Sequence, residues 1–163
     1  MPASVTPLES HKPSLTIKRR LNAPPAKVYA AWTDPAQLGR WFGPSETVPG
    51  SVKASLDVRV GGKFGVSFDG CMDGNTEYHE VGGVYREVVP NQRLVFSWAW
   101  HSTPERESLV TISIKPEGSG SLLVFNHAQF AAPGTAFGSP TFGVITSTVK
   151  GSRQVQLALK YVF

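Results

Sequence analysis

Between Val52 and Phe68 the chain carries a pattern that suits a β-sheet with one dry face. Val52, Ala54, Leu56, Val58 and Val60 alternate with polar or charged neighbours, and beyond Gly61-Gly62-Lys63 the alternation resumes with Phe64, Val66 and Phe68. A period of two puts all of these side chains on one side of an extended backbone. Parity then restricts the turn. A two-residue Gly-Gly loop would set Val60 opposite Lys63 and mismatch the apolar faces. A three-residue Gly-Gly-Lys loop sets Val60 opposite Phe64, Val58 opposite Val66 and Leu56 opposite Phe68, which predicts a hairpin with a glycine bulge.

Two further hairpins follow. HEVGGVYREVVPNQRLVFSWAWH turns at Pro90-Asn91-Gln92-Arg93, and Leu94, Phe96, Trp98 and Trp100 share one face of its second arm. SLVTISIKPEGSGSLLVFNHAQF turns at Glu117-Gly118-Ser119-Gly120, with Val110, Ile112 and Ile114 on one side of the first arm and Leu123, Phe125 and His127 on one side of the second. Upstream, SLTIKRRLN alternates as a strand, and two short helices follow it. Pro24 and Pro25 suit a first helical turn, and Val28, Ala31 and Trp32 fall on one helical face. Asp34-Pro35 stops that helix and starts the next, with Asp34 as N-cap. Leu38, Trp41 and Phe42 share a face of the second helix before Gly43-Pro44 turns the chain. The order is therefore one strand, two short helices acting as a lid, then about six antiparallel strands, an α+β arrangement. A long sheet with one apolar face requires a cover.

The totals narrow the class. A chain of 163 residues, 40% hydrophobic and 17% charged, has the size and balance of one globular domain. The lone cysteine, Cys71, excludes an intrachain disulfide and reads as a passive loop thiol. MPASVTPLESHKPS lacks the basic and apolar regions of a signal peptide, and no run approaches a membrane span, so a cytoplasmic protein without membrane contact is expected. The net charge is +4, but the basic residues are scattered apart from Lys18-Arg19-Arg20. That distribution does not predict a nucleic-acid partner.

HEVGGVYREVVPNQRLVFSWAW, with VRVGGKF upstream and the lid segment DPAQLGRWFGP, resembles the domain found at the C-terminus of the activator of heat-shock-protein-90 ATPase. That domain belongs to the helix-grip superfamily (START/SRPBCC) of lipid carriers, birch-pollen-type allergens and polyketide cyclases. The resemblance covers residues 14–130 and follows a flexible N-terminal arm, residues 1–13. It implies a curved antiparallel sheet wrapped around a long C-terminal helix with an apolar cavity between them. It also implies binding of a hydrophobic small molecule, an enzyme of the cyclase or hydratase kind, or a stress-response module docking on a heat-shock chaperone.

Residues 131–163 depart from the family pattern. Gly134, Gly138, Pro140, Gly143 and Gly151 would break a long helix repeatedly, at about 1 kcal/mol per glycine and about 3 for the proline. Val155, Leu157, Leu159, Tyr161 and Phe163 alternate as a strand instead, which fits a hairpin around Lys150-Gly151-Ser152 or an altered reading frame. A covering helix would remove several hundred Å² of apolar surface, on the order of 10 kcal/mol. A replacement cover is therefore expected: a tail hairpin, a bulky ligand, or a second copy in a homodimer.

The candidate ligand-binding set is aromatic: Trp32, Trp41, Phe42, Phe64, Phe68, Tyr85, Phe96, Trp98, Trp100 and Phe125, joined by His127. Each ring alone is core material, but many rings on one concave face with few polar groups describe a small-molecule pocket. Trp41 and Phe42 would roof its mouth. His127 is the one candidate catalytic residue, able to act as acid or base near neutral pH; a hydrogen-bonded histidine at a strand end is the plainer alternative. Arg86 and Glu87 read as surface residues, with part of a polar mouth or a cavity ion pair as the alternative. His79 and Glu80 point to opposite faces of a strand and cannot easily share an ion, so no metal site is expected. VGGKF and VGGVY supply turn or bulge glycines, and no phosphate loop or dinucleotide fingerprint is present, so no cofactor is implied.

Overall fold

The computed structural model describes residues 14–72 and 74–128. The expected tail hairpin or helix of residues 131–163 and the arm of residues 1–13 lie outside the described residues. The described residues hold seven strands: β1 (Leu15–Leu21), β2 (Lys53–Leu56), β3 (Lys63–Met72), β4 (Asn75–Val89), β5 (Arg93–Trp100), β6 (Ser108–Glu117) and β7 (Gly120–Ala128). They form one curved antiparallel sheet in the order β1-β7-β6-β5-β4-β3-β2. From β2 to β7 each strand pairs with its successor in sequence, as a chain of hairpins must, and β1 closes the far side against β7.

Helices α1 (Pro25–Thr33) and α2 (Pro35–Leu38) sit between β1 and β2. Pro25 opens α1, where its missing N–H is not needed. Val28, Ala31 and Trp32 are buried along one face. Asp34 links the two helices. Its N–H donates to the Ala30 carbonyl at 2.8 Å, and its Oδ1 accepts from the Ala36 and Gln37 N–H groups at 2.9 and 3.4 Å. These donors hold the Asp34 carboxyl below its usual range, the Ala36 N–H contributing most. Helix α2 ends at Leu38, but the Trp41 and Phe42 N–H groups still reach the Leu38 carbonyl. This tight turn keeps Leu38, Trp41 and Phe42 buried together, as the spacing predicts.

The first hairpin departs from expectation. Leu56, not Val60, lies opposite Phe64, and Ala54 lies opposite Val66. The register is displaced by four residues, an even number, so the apolar parity survives. Residues 57–62 form the connection instead of Gly61-Gly62-Lys63, and Lys63 begins β3. The glycines explain the difference. Gly61 takes φ 81° and donates to the Tyr85 carbonyl, while the Tyr85 N–H donates to the Gly62 carbonyl. Both glycines thus bond to β4, on the far side from β2, and a Cβ at Gly62 would strike the Asp57 carbonyl oxygen. Val60 is left 65% exposed at the loop tip.

The second and third turns follow the sequence more closely. Val89 pairs with Arg93, so the loop is Pro90-Asn91-Gln92 with Asn91 in the left-handed region at φ 62°. Glu117 pairs with Gly120 across Gly118-Ser119. Cys71 lies exposed within β3 opposite Thr76, a strand position rather than a loop. The core lies on one face of the sheet, where Val66, Phe68, Val81, Leu94, Phe96, Val110, Ile112, Ile114, Leu123 and Phe125 meet Val28, Trp32, Leu38, Trp41 and Phe42 from the helical segment.

Candidate functional site

The inner face divides into a closed part and an open part. In the closed part the rings interlock. Trp32 meets Trp41 edge-on at 4.7 Å and stacks on Phe125 at 6.2 Å. Phe64 meets Phe96 edge-on at 5.0 Å and lies 5.8 Å from Tyr85. Phe42 bridges to Phe68 and Trp98, both at 6.0 Å. The void left among Trp32, Phe42, Phe64, Tyr85, Phe96 and Trp98 is about 20 Å³. That volume holds one water and no organic guest. Trp41 is accordingly a packed tie and not a movable roof: it is 5% exposed, and its indole N–H donates to the Ala31 carbonyl at 3.0 Å.

Tyr85 belongs to this closed part. Burial raises its hydroxyl pKa to about 12, with smaller contributions from Tyr29 and Asp57. It stays protonated and cannot serve as a base.

The open part is a ledge along β5, where the lid gives out and burial turns partial. Trp98 and Trp100 meet edge-on at 6.1 Å with their planes 86° apart. His79 packs on Phe68 at 5.2 Å and faces Trp100 at 6.3 Å, while His127 lies 5.9 Å from Trp98 and 6.2 Å from Phe125. Trp98, Trp100, His79 and His127 are half-buried, in contrast to the rings under the lid. Two half-buried indoles flanked by two imidazoles make a ledge, apolar in body and edged with polar ring nitrogens.

Ser108 completes the polar part of the ledge. Its Oγ lies 2.7 Å from His127 Nε2 and 3.1 Å from the Trp98 carbonyl oxygen, to which it donates. A hydroxyl has one proton. With that proton on the Trp98 carbonyl, the imidazole Nε2–H donates to Oγ, and the serine has none to surrender to the histidine. This is a serine that orients a histidine, the reverse of a base activating a nucleophile. Burial lowers the His127 pKa to about 4, so the ring is neutral at neutral pH.

The structure thus collects all eleven sequence-predicted residues into one connected ring system, with Trp98, Trp100 and His127 at its open end and Trp41 joined through Trp32 and Phe42. His79 and Ser108 were not among the candidates. Parity alone could have found Ser108, which precedes Val110 by two on the same strand face. His79 needed the β3–β4 register, which sets it opposite Phe68. Glu80 points away from His79 and accepts from the Tyr78 hydroxyl at 3.0 Å. Arg86 pairs with Glu107 at 3.1 Å and Glu87 with Arg93 at 3.0 Å, all about half exposed. Such pairs stabilise little; Arg86 and Glu107 line a cavity of about 300 Å³ together with Ser108 and Leu109. Among the described residues no three metal-ligating side chains cluster, and no helix is long and apolar enough to cross a membrane.

Residues 22–140 match the family model described as "Activator of Hsp90 ATPase homolog 1-like protein". No curated protein matches the chain. Solved structures do. Protein CV1439 from Chromobacterium violaceum is 29% identical, with 71% of this chain and 78% of that one covered and a TM-score of 0.61. Protein NE0264 from Nitrosomonas europaea is 25% identical over 78% and 80% of the two chains, with a TM-score of 0.59. PFC0360w, an HSP90 activator from Plasmodium falciparum, is 25% identical over 73% and 74%, with a TM-score of 0.57.

Proposed function

Because this chain belongs to the family of Activator of Hsp90 ATPase homolog 1-like proteins, with its helix-grip sheet, we propose that it binds a hydrophobic small molecule on the aromatic ledge formed by Trp98, Trp100, His79 and His127. One observation carries this reading. The aromatic face does not end where the lid ends; it continues as half-buried indoles set at right angles to each other. Half-buried tryptophans contribute large apolar contact area at low entropic cost when a guest covers them. A void of only 20 Å³ leaves no room for a guest between the lid rings, which favours the ledge.

The reading favours binding over catalysis. His127 is held neutral by burial, and the Ser108 proton faces a backbone carbonyl, so neither is arranged for acid–base work near neutral pH. Titration with N-phenylnaphthylamine, an uncharged probe that brightens in apolar surroundings, tests the proposal. Saturable brightening that weakens at least about tenfold in Trp98→Ala supports it. Brightening that never saturates, or that is indifferent to Trp98→Ala and Trp100→Ala in folded protein, contradicts it.

A second reading has the likeness to PFC0360w in its favour: docking on a heat-shock chaperone. It predicts association that is insensitive to Trp98→Ala, since a docking surface would lie outside the ledge. Copurification of the wild type and this variant with a heat-shock ATPase separates the two.

A further inference from the structure

The consecutive cations Lys18, Arg19 and Arg20 lie on an edge of the sheet. Strand β1 pairs with β7, and no other described strand borders it. Along its seven residues Thr16, Lys18, Arg19 and Arg20 are exposed, while Leu15, Ile17 and Leu21 are partly covered. The opposite edge, β2, has only four residues. Among the described residues, the outer flank of β1 therefore keeps the longer row of backbone donors and acceptors without a ladder partner.

The charges on this strand lack a counterpart on its neighbour. Opposite Lys18, Arg19 and Arg20 stand Val124, Leu123 and Leu122, and β7 holds no carboxylate. Arg20 reaches past them to Glu117 at 2.8 Å, but this exposed pair contributes little. Lys18 and Arg19 enter no ion pair among the described residues. Lys115, in line with Leu122 and Arg20, adds a cation on the same face. A cross-strand neighbour of opposite charge complements such positions, and the free flank is where it fits. A second copy is the wrong occupant. Antiparallel pairing of β1 with itself about Arg19 sets Lys18 against Arg20 and Arg19 against Arg19, like charges throughout. A flat anionic membrane fits poorly too, because Lys18 and Arg20 point to one face of the sheet and Arg19 to the other.

We propose that the free edge of β1 takes up an acidic, extended peptide segment of a partner protein as an added antiparallel strand. The side chains dictate its composition: carboxylates beside Arg20, Arg19 and Lys18, and apolar side chains beside Leu21, Ile17 and Leu15. Main-chain hydrogen bonds hold the segment and the charges select it. The contact needs no guest on the ledge and stands whether or not one binds.

The probe is fluorescein-labelled Val-Glu-Glu-Glu-Val-Thr-Val, titrated with the full chain and read by fluorescence polarisation. Saturable binding should weaken at least about tenfold in Lys18→Glu/Arg19→Glu, and that variant should instead bind Val-Lys-Lys-Lys-Val-Thr-Val. N-methylation separates strand addition from attraction between charges. Alternate N–H groups of a strand face the same side, so methylating the second, fourth and sixth amides differs from methylating the third and fifth. One set should abolish binding and the other be tolerated. Equal effects of the two sets overturn the inference, as does binding indifferent to Lys18→Glu/Arg19→Glu. No binding to the wild type, the result expected where another segment of this chain or a second copy already holds the edge, overturns it as well. So does uptake by phosphatidylserine vesicles without peptide binding, which assigns the cations to a membrane.

Discussion

The indole N–H of Trp41 donates to the carbonyl of Ala31 across ten residues, at 3.0 Å and out of contact with water. The bond fastens the turn after α2 to the last turn of α1, and the Trp32–Trp41 edge contact lies beside it. It answers why a short helix ends on two large rings. They close the lid on the sheet, and the bond consumes the one polar atom of the Trp41 side chain.

Trp41→Phe removes that donor and keeps most of the ring. The Ala31 carbonyl loses a partner in a dry place, so unfolding should become easier by about 1–2 kcal/mol. A urea denaturation midpoint measures this. N-phenylnaphthylamine affinity should be unchanged, because Trp41 belongs to the closed part of the inner face.

Gly83 and Gly65 are strand glycines with opposite surroundings. A Cβ at Gly83 would stand 1.9 Å from the Ser97 carbonyl oxygen, whereas a Cβ at Gly65 would meet nothing within 4 Å. Gly83→Ala should destabilise by about 3 kcal/mol or more. Gly65→Ala should be neutral or stabilising by less than about 1 kcal/mol, through lost freedom of the unfolded chain. Thermal midpoints of the two variants, compared with wild type, check the contrast.

His127 gives the fold a pH dependence of definite sign. Its folded pKa lies below its unfolded value, so between the two the unfolded chain binds more protons, and stability rises with pH. The contribution is complete above about pH 6.5 and is lost as pH falls toward 4. The full drop from 6.5 to about 4 corresponds to on the order of 3 kcal/mol. Urea midpoints taken across that window should fall with acidification in the wild type, and the slope should flatten in His127→Phe.

Much of this architecture was legible in the chain because period two and period 3.6 leave different marks. Phe64, Val66 and Phe68 announced a strand face, Val28, Ala31 and Trp32 a helix face, and Asp34-Pro35 the break between helices. The β2–β3 register was not legible. Local parity could not know that Gly61 and Gly62 would bond to Tyr85, a partner more than twenty residues away in sequence. The ring set was legible as apolar, but its division into a locked core and an open ledge was not. That division depends on where α1 and α2 come to rest, and no residue pattern within β5 encodes it. Ser108 escaped notice because a hydroxyl at a strand start looks like a turn residue until its partners, Trp98 and His127, are in place.

Native mass spectrometry of the protein incubated with N-phenylnaphthylamine tests the central claim, an apolar guest on the Trp98–Trp100 ledge, most directly, and it reports the subunit count as well. The account predicts a species heavier than the bare chain by one probe per subunit, or by a small molecule retained from the cell, and a marked loss of that species in Trp98→Ala. Only the bare mass in the wild type, under conditions that preserve the fold, would contradict it.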